Sequence, residues 1–156
     1  PKPFEEIPDA DWLRFFEVNV VSGVRLARLY LPEMRRRDWG RIIFISSESG
    51  VQIPAEMIHY GTTKTAQLAV SRGLAESLAG TGITVNCVCP GPINTGMTAG
   101  IPAEAKEAYA KRRVPLRRYG AAEEVAHMTL SLCLPASSFV NGAIIPVDGG
   151  MTIRHT

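Results

Sequence analysis

Apolar residues recur at helical spacing from residue 9 to about 37, through "DADWLRFFEVNVVSGVRLARLYLPEMRRRD", and predict one long helix. Pro8 and Asp9 make its start, and Asp11 suits the positive end of the helix dipole. Pro32 is expected to kink this helix or to mark a separate last turn. Gly40 then leads into "RIIFIS", a continuous apolar run that reads as a buried strand. After a Ser-Gly loop the pattern returns to helical spacing from about residue 60 to 79. Val70, Leu74 and Leu78 mark its apolar side, and Ala66, Ala69 and Gly73 are expected to allow close packing. Gly80 and Gly82 stop it. "ITVNCVC" (83–89) is a second buried strand, ended by Pro90 and Gly91. Residues 92–120 are mixed, with helical turns around 103–112. A helix over about 122–134 and a last short strand in "GAIIPVDGG" complete the chain. Continuous apolar strands alternating with helices predict an α/β fold, a parallel sheet with helices on both faces, in one domain over residues 1–156.

Composition changes this picture little. The chain is 46% hydrophobic and 21% charged, as an ordinary globular domain is. Its net charge of +2 gives no argument for nucleic acid or an anionic membrane as partner. No apolar run approaches the roughly 18 residues of a membrane span. Arg35, Arg36 and Arg37 read as cations closing a helix beside its negative end. The three cysteines, Cys87, Cys89 and Cys133, lack the spacing of a disulfide framework. Cys87 and Cys89 lie two apart in a strand and point the same way, with no Cys or His partner for zinc. They read as buried free thiols in a reducing, cytoplasmic setting.

The candidate chemistry lies at strand ends, where open α/β sheets collect ligands. "RIIFI" delivers Ser46 and Ser47, and "ITVNCVC" delivers the loop "PGPINTG". The helix after the first of these ends carries Tyr60 and, four residues on, Lys64. One turn separates them, so phenol and ammonium share a face. A free phenol has a pKa near 10. A neighbouring ammonium is expected to lower it, making the phenol a proton-transfer group near neutral pH. A serine hydroxyl beside it can orient the same substrate oxygen. A Ser-Lys hydrolase built on Ser47 and Lys64 is disfavoured, since no Gly-x-Ser-x-Gly elbow is present. Asn19 is locally unfavourable in the middle of an apolar helix.

Together these segments resemble the C-terminal two-thirds of a short-chain dehydrogenase/reductase. "EVNVVSG", "GRIIFISSESG", "YGTTK", "ITVNCVCPGPINTGM" and "VNGAIIPVDGG" follow that family's order, and the resemblance covers about residues 4–150. It implies part of a Rossmann-like doubly wound parallel sheet with flanking helices. It implies an NAD- or NADP-dependent oxidoreductase that interconverts a hydroxyl and a carbonyl on a small alcohol or ketone. Tyr60 would be the acid/base, Lys64 would lower its pKa and bond the nicotinamide ribose, and Ser47 would hold the substrate oxygen. The family's spacing of thirteen residues before the tyrosine selects Ser47 over Ser46 and Ser49. Asn19 would kink its helix and help to hold a water linking Lys64 to solvent. Pro90, Gly91, Ile93 and Thr95 would border the nicotinamide.

The family's Gly-rich phosphate turn and N-terminal βαβ units have no counterpart in this sequence, so the chain is expected to be part of a longer one and to bind cofactor poorly alone. The resemblance also implies a homo-oligomer, dimer or tetramer. A chain of this length that kept only the helices used for assembly would be a non-catalytic module, the alternative reading. Specificity is expected from the stretch after Thr95 and from the loop at 50–58, where Ile53, Met57 and Ile58 would form apolar walls. Lys111, Arg112, Arg113, Arg117 and Arg118 read as a solvated basic face. His59 reads as a loop residue beside the site.

Overall fold

A computed structural model describes residues 1–153. Three parallel strands form its sheet: β1 (Gly40–Ile45), β2 (Ile83–Pro90) and, later in the chain, β5 (Ile144–Val147), in the order β1-β2-β5. Gly40 pairs with Ile83 and Phe44 with Cys87, while Cys87 pairs with Ile144 and Pro90 with Val147. The central strand β2 is buried at every position from Ile83 to Cys89. Its continuous apolar run therefore reports cover on both faces, as in other parallel sheets. Asn86, the polar side chain in that run, is satisfied by donating to Val140 O at 2.8 Å and accepting from Ala143 N–H at 3.0 Å.

The first helical segment is one rod of three parts: α1 (Asp9–Phe16), a π-helical turn (Glu17–Val21) and α2 (Ser22–Arg37). Its irregular turn thus falls at Asn19; the expected break at Pro32 is absent, and α2 runs on through that proline. The rod ends at Asp38, in the left-handed region at φ 48°, whose carboxylate accepts from Gly82 N–H at 2.8 Å. The next long helix, α3, spans Ile58–Ser77. It begins two residues before Tyr60, so His59 lies inside it and is buried against Phe15 and Trp12, with ring centroids at 4.5 and 6.1 Å. The buried stripe of α3 runs through Gly61, Leu68, Ser71 and Ala75. Ala69 and Gly73 face outward, and a methyl group added at Gly73 would meet nothing, so the expected close packing there is not found.

Phe44, Leu68, Ala75, Leu78, Val85, Cys87 and Cys89 form the core between α3 and the sheet, with Leu31 and Met34 of α2 at its edge. Burying such side chains contributes roughly 1.5–3 kcal/mol each. After β2 come a two-residue strand β3 (Ile93–Asn94), helix α4 (Ala103–Arg113), strand β4 (Gly120–Ala121) parallel to β3, and helix α5 (Ala122–Cys133). α5, whose side chains stay out of that core cluster, packs on β1, β2 and β5. Cys87 and Cys89 are fully buried free thiols, whereas Cys133 is partly exposed. Among the described residues no helix is long and apolar enough to cross a membrane.

Candidate active site

The carboxyl end of β1, the loop after it and the first turns of α3 are joined by short polar contacts. Ser46 Oγ donates to Lys64 O at 2.8 Å, and Lys64 Nζ returns to Ile45 O at 3.1 Å. Thr65 Oγ1 donates to Gly50 O at 2.9 Å. Gly61 lets the loop lie directly on the helix: a Cβ there would stand 2.6 Å from Ile53 Cγ2 and 3.0 Å from Ser49 O. These contacts explain why a serine-rich strand end and a helix start, with Ser47 and Tyr60 thirteen residues apart, occupy one place.

Ser47 and Tyr60 are brought together. Ser47 is buried and caps the short turn Glu48–Gly50, accepting from Ser49 N–H at 3.1 Å. Its side chain also lies near enough to the Tyr60 phenol to favour the ionised form. Burial pushes the phenol above its ordinary pKa, the Ser47 contact opposes the shift, and the charge on Glu48 adds to it. The expected depression by Lys64 is therefore not found. The ammonium stands 5.7 Å from the Tyr60 ring centroid, over the ring face, in a cation–π arrangement instead of beside the oxygen. Burial, in turn, pulls Lys64 below its ordinary pKa. Lys64 spends one of its three donors on Ile45 O.

Asn19 reaches the same helix from the π-helical turn. Its Nδ2 donates to Thr63 Oγ1 at 2.9 Å, and Thr63 Oγ1 donates to Tyr60 O at 2.7 Å. A π turn interrupts the regular ladder and frees a carbonyl. Here Asn19 O accepts from Gln67 Nε2 at 2.6 Å. Asn19 thus fixes the backbone under Tyr60 through two side chains, and no hydrogen bond joins it to Lys64 among the described residues. Thr63 and Gln67 escaped the sequence reading; their signal is two polar groups one turn apart on the otherwise buried side of α3.

The second strand end is shaped by Gly91. Its N–H donates to Val147 O at 3.1 Å, and a Cβ would meet Asp148 Cα at 2.7 Å and Asp148 Cβ at 2.8 Å. Pro90 closes β2, Ile93 begins β3, and Thr95 starts a short turn with its N–H donating to Thr98 Oγ1 at 3.0 Å. A cavity of about 510 Å³ opens beyond this loop, lined by Ile93, Leu116, Arg118, Glu124, Val147 and Gly149 among others. Of the sequence-selected residues, only Ile93 lines it; Asn19, Ser47, Tyr60 and Lys64 are elsewhere. Arg118 and Glu124 at its rim form a two-point ion pair with both bonds at 2.7 Å. Arg118 thus stays solvent-exposed, as expected of the basic face, and gains a specific partner there.

This order of strands and polar groups matches a known family model across residues 1–152, described as enoyl-(acyl carrier protein) reductase. The chain belongs to the short-chain dehydrogenase/reductase family. It is 42% identical to an uncharacterised oxidoreductase, YvaG, of Bacillus subtilis, over 97% of this chain and 62% of that protein. It is 38% identical to the 3-oxoacyl-[acyl-carrier-protein] reductase FabG of Aquifex aeolicus, over 90% of this chain and 56% of that one. Among solved structures, L-sorbose reductase from Gluconobacter frateurii, complexed with NADPH and L-sorbose, matches with a TM-score of 0.89 at 31% identity. That match covers 96% of this chain and 61% of the reductase. The chain therefore spans about three-fifths of the length of the relatives it matches.

Proposed function

We propose that this chain carries the proton-transfer centre and the nicotinamide end of an NAD(P)-dependent oxidoreductase that interconverts a hydroxyl and a carbonyl. The observation that carries the reading is the convergence at the end of β1, where Ser46 and Ile45 bond Lys64, Ser47 lies near the Tyr60 phenol, and the Lys64 ammonium stands over the phenol ring. Ser47 holds the substrate oxygen, and Tyr60 exchanges a proton with it. With its pKa raised by burial, Tyr60 is a neutral phenol at neutral pH, the form that gives a proton to the oxygen of a carbonyl being reduced. Alcohol oxidation needs the phenolate, so its rate rises with pH toward the phenol's raised pKa. Asn19 keeps the first turns of α3 in place through Thr63 and Gln67.

The residues present fit a nicotinamide and its ribose. Lys64 has donors to spare, and Gly91 lets the loop carrying Pro90, Ile93 and Thr95 lie close against Asp148 at the second strand end. When bound, NAD or NADP supplies or accepts the hydride. Small neutral alcohols or ketones are the proposed substrates. Self-association as a homo-oligomer belongs to the same reading, supported by α2, which buries no residue and exposes Leu26, Leu29 and Tyr30. The test is to purify the natural polypeptide, titrate NADH and NADPH by fluorescence, and follow nicotinamide absorbance with a panel of ketones and alcohols. Micromolar binding of one cofactor with turnover of a ketone is expected. Absence of both binding and turnover contradicts the proposal.

A further inference from the structure

Glu48 follows Ser47 directly and opens the turn Glu48–Gly50, which is closed by Gly50 N–H to Ser47 O at 3.0 Å and Val51 N–H to Glu48 O at 2.9 Å. The turn fixes where its carboxylate stands. Ser49 Oγ donates to Glu48 Oε1 at 2.7 Å, one of roughly four positions at which a carboxylate accepts. Among the described residues no cation comes within 4.0 Å of it. The charges that face it from farther off are Asp148, at the exit of β5, and Arg113, at the end of α4. Asp148 is already committed, accepting from Gly150 N–H at 2.9 Å, Thr152 N–H at 2.8 Å and Thr152 Oγ1 at 2.6 Å.

The field of Glu48 reaches two phenols. It raises the pKa of both Tyr60 and Tyr109 of α4. Tyr109 is itself held edge-on to Tyr119, with centroids 6.1 Å apart. The carboxylate therefore stands beside the proposed site, one residue from Ser47, with its field felt at the proposed proton-transfer oxygen. A half-buried carboxylate with one neutral partner is costly unless further donors complete it. Burial raises its pKa, in keeping with that cost.

We propose that Glu48 is a specificity-determining acceptor that takes the second hydroxyl of a substrate bearing adjacent oxygens, so that neutral vicinal diols and hydroxyketones are favoured and 2-hydroxy acids are disfavoured. This rests on the dehydrogenase reading given above. A hydroxyl next to the carbon held by Ser47 and Tyr60 can reach the free carboxylate oxygen, whereas a substrate carboxylate there meets like charge.

The test measures kcat/KM of the natural polypeptide, with its preferred nicotinamide cofactor, on a matched pair, butane-2,3-diol and butan-2-ol, and on 2-hydroxybutyrate. The wild type is expected to favour the diol by about tenfold, the scale of one charge-assisted hydrogen bond. Glu48→Ala should bring the pair to within about twofold of each other, chiefly by lowering the diol value. Glu48→Gln, nearly the same shape, should narrow the preference by a smaller factor and raise turnover of 2-hydroxybutyrate. Ser49→Ala removes the bracing hydroxyl but should leave the diol preference in place. Equal turnover of diol and mono-alcohol by the wild type overturns the proposal, as does an unchanged ratio in both Glu48 variants. Loss of all alcohol turnover in the wild type instead sinks the dehydrogenase reading and this inference with it.

Discussion

Around Tyr60, the end of β1, the π-helical turn and the first turns of α3 are joined by side-chain hydrogen bonds from Ser46, Asn19, Thr63, Thr65 and Gln67. The segment from Thr95 to Arg113, on the other side of the proposed site, is built differently. Met97 is 94% exposed, Ile101 is exposed, and α4 buries only Ala110. Its ties include Thr98 Oγ1 to Ile93 O at 2.9 Å, Lys106 Nζ to Asn94 Oδ1 at 3.1 Å and the edge-on pair of Tyr109 and Tyr119. Proton transfer needs reacting groups fixed to fractions of an ångström, and a dense polar network supplies that. Substrate choice and access need a surface that varies and opens, which sparse contacts permit. The contrast assigns chemistry to the first side and selection to the second.

Substitutions sharpen the contrast. The largest loss of stability is expected for Gly91→Ala, at the end of β2 between the two sides, because backbone at Asp148 cannot yield to a Cβ 2.7 Å away. Overpacking of this kind costs about 1–3 kcal/mol, read as a shift in the urea midpoint. A midpoint equal to wild type would show that the strand ends are looser than described. Asn19→Ala comes next, at about 1 kcal/mol for the lost bond to Thr63, with a fall in turnover because α3 loses a brace under Tyr60. Unaltered kinetics would place Asn19 outside the functional unit. Met97→Ala is the smallest, within about 0.5 kcal/mol of wild type, with any kinetic effect appearing in KM. A large destabilisation there would erase the distinction between the two sides.

The sheet was legible because "RIIFI" and "ITVNCVC" are continuous apolar runs; double-sided burial holds for the central β2, whereas β1, expected to be buried, is an edge strand with Ile45 exposed. The turn at Asn19 was expected only from the family resemblance, which has Asn19 kink its helix; the apolar spacing does not show it, because one inserted residue hardly disturbs a pattern counted over many residues. Strands β3 and β4, two residues each, are too short to show alternation. The face of α3 was read one step off at Ala69 and Gly73, since small residues fit a packed face and an open one equally well. Tyr60, Lys64 and the Ser46–Ser47 strand end were legible as neighbours from their place at a strand end and a helix start, while the choice of Ser47 came from the family's spacing. The sign of the Tyr60 shift was not. Sequence spacing shows the ammonium one turn away, while burial and the nearby Glu48 emerge only in the folded chain.

The central claim is that Tyr60 transfers the proton, and the substitution Tyr60→Phe in the natural polypeptide tests it most directly. It removes one oxygen and leaves the ring between Phe15 and Lys64. Turnover should fall by about 10²–10⁴-fold, the usual contribution of a positioned acid/base, while the affinity for NADH or NADPH stays close to that of wild type. Turnover within a few-fold of wild type, with cofactor affinity unchanged, would contradict the account.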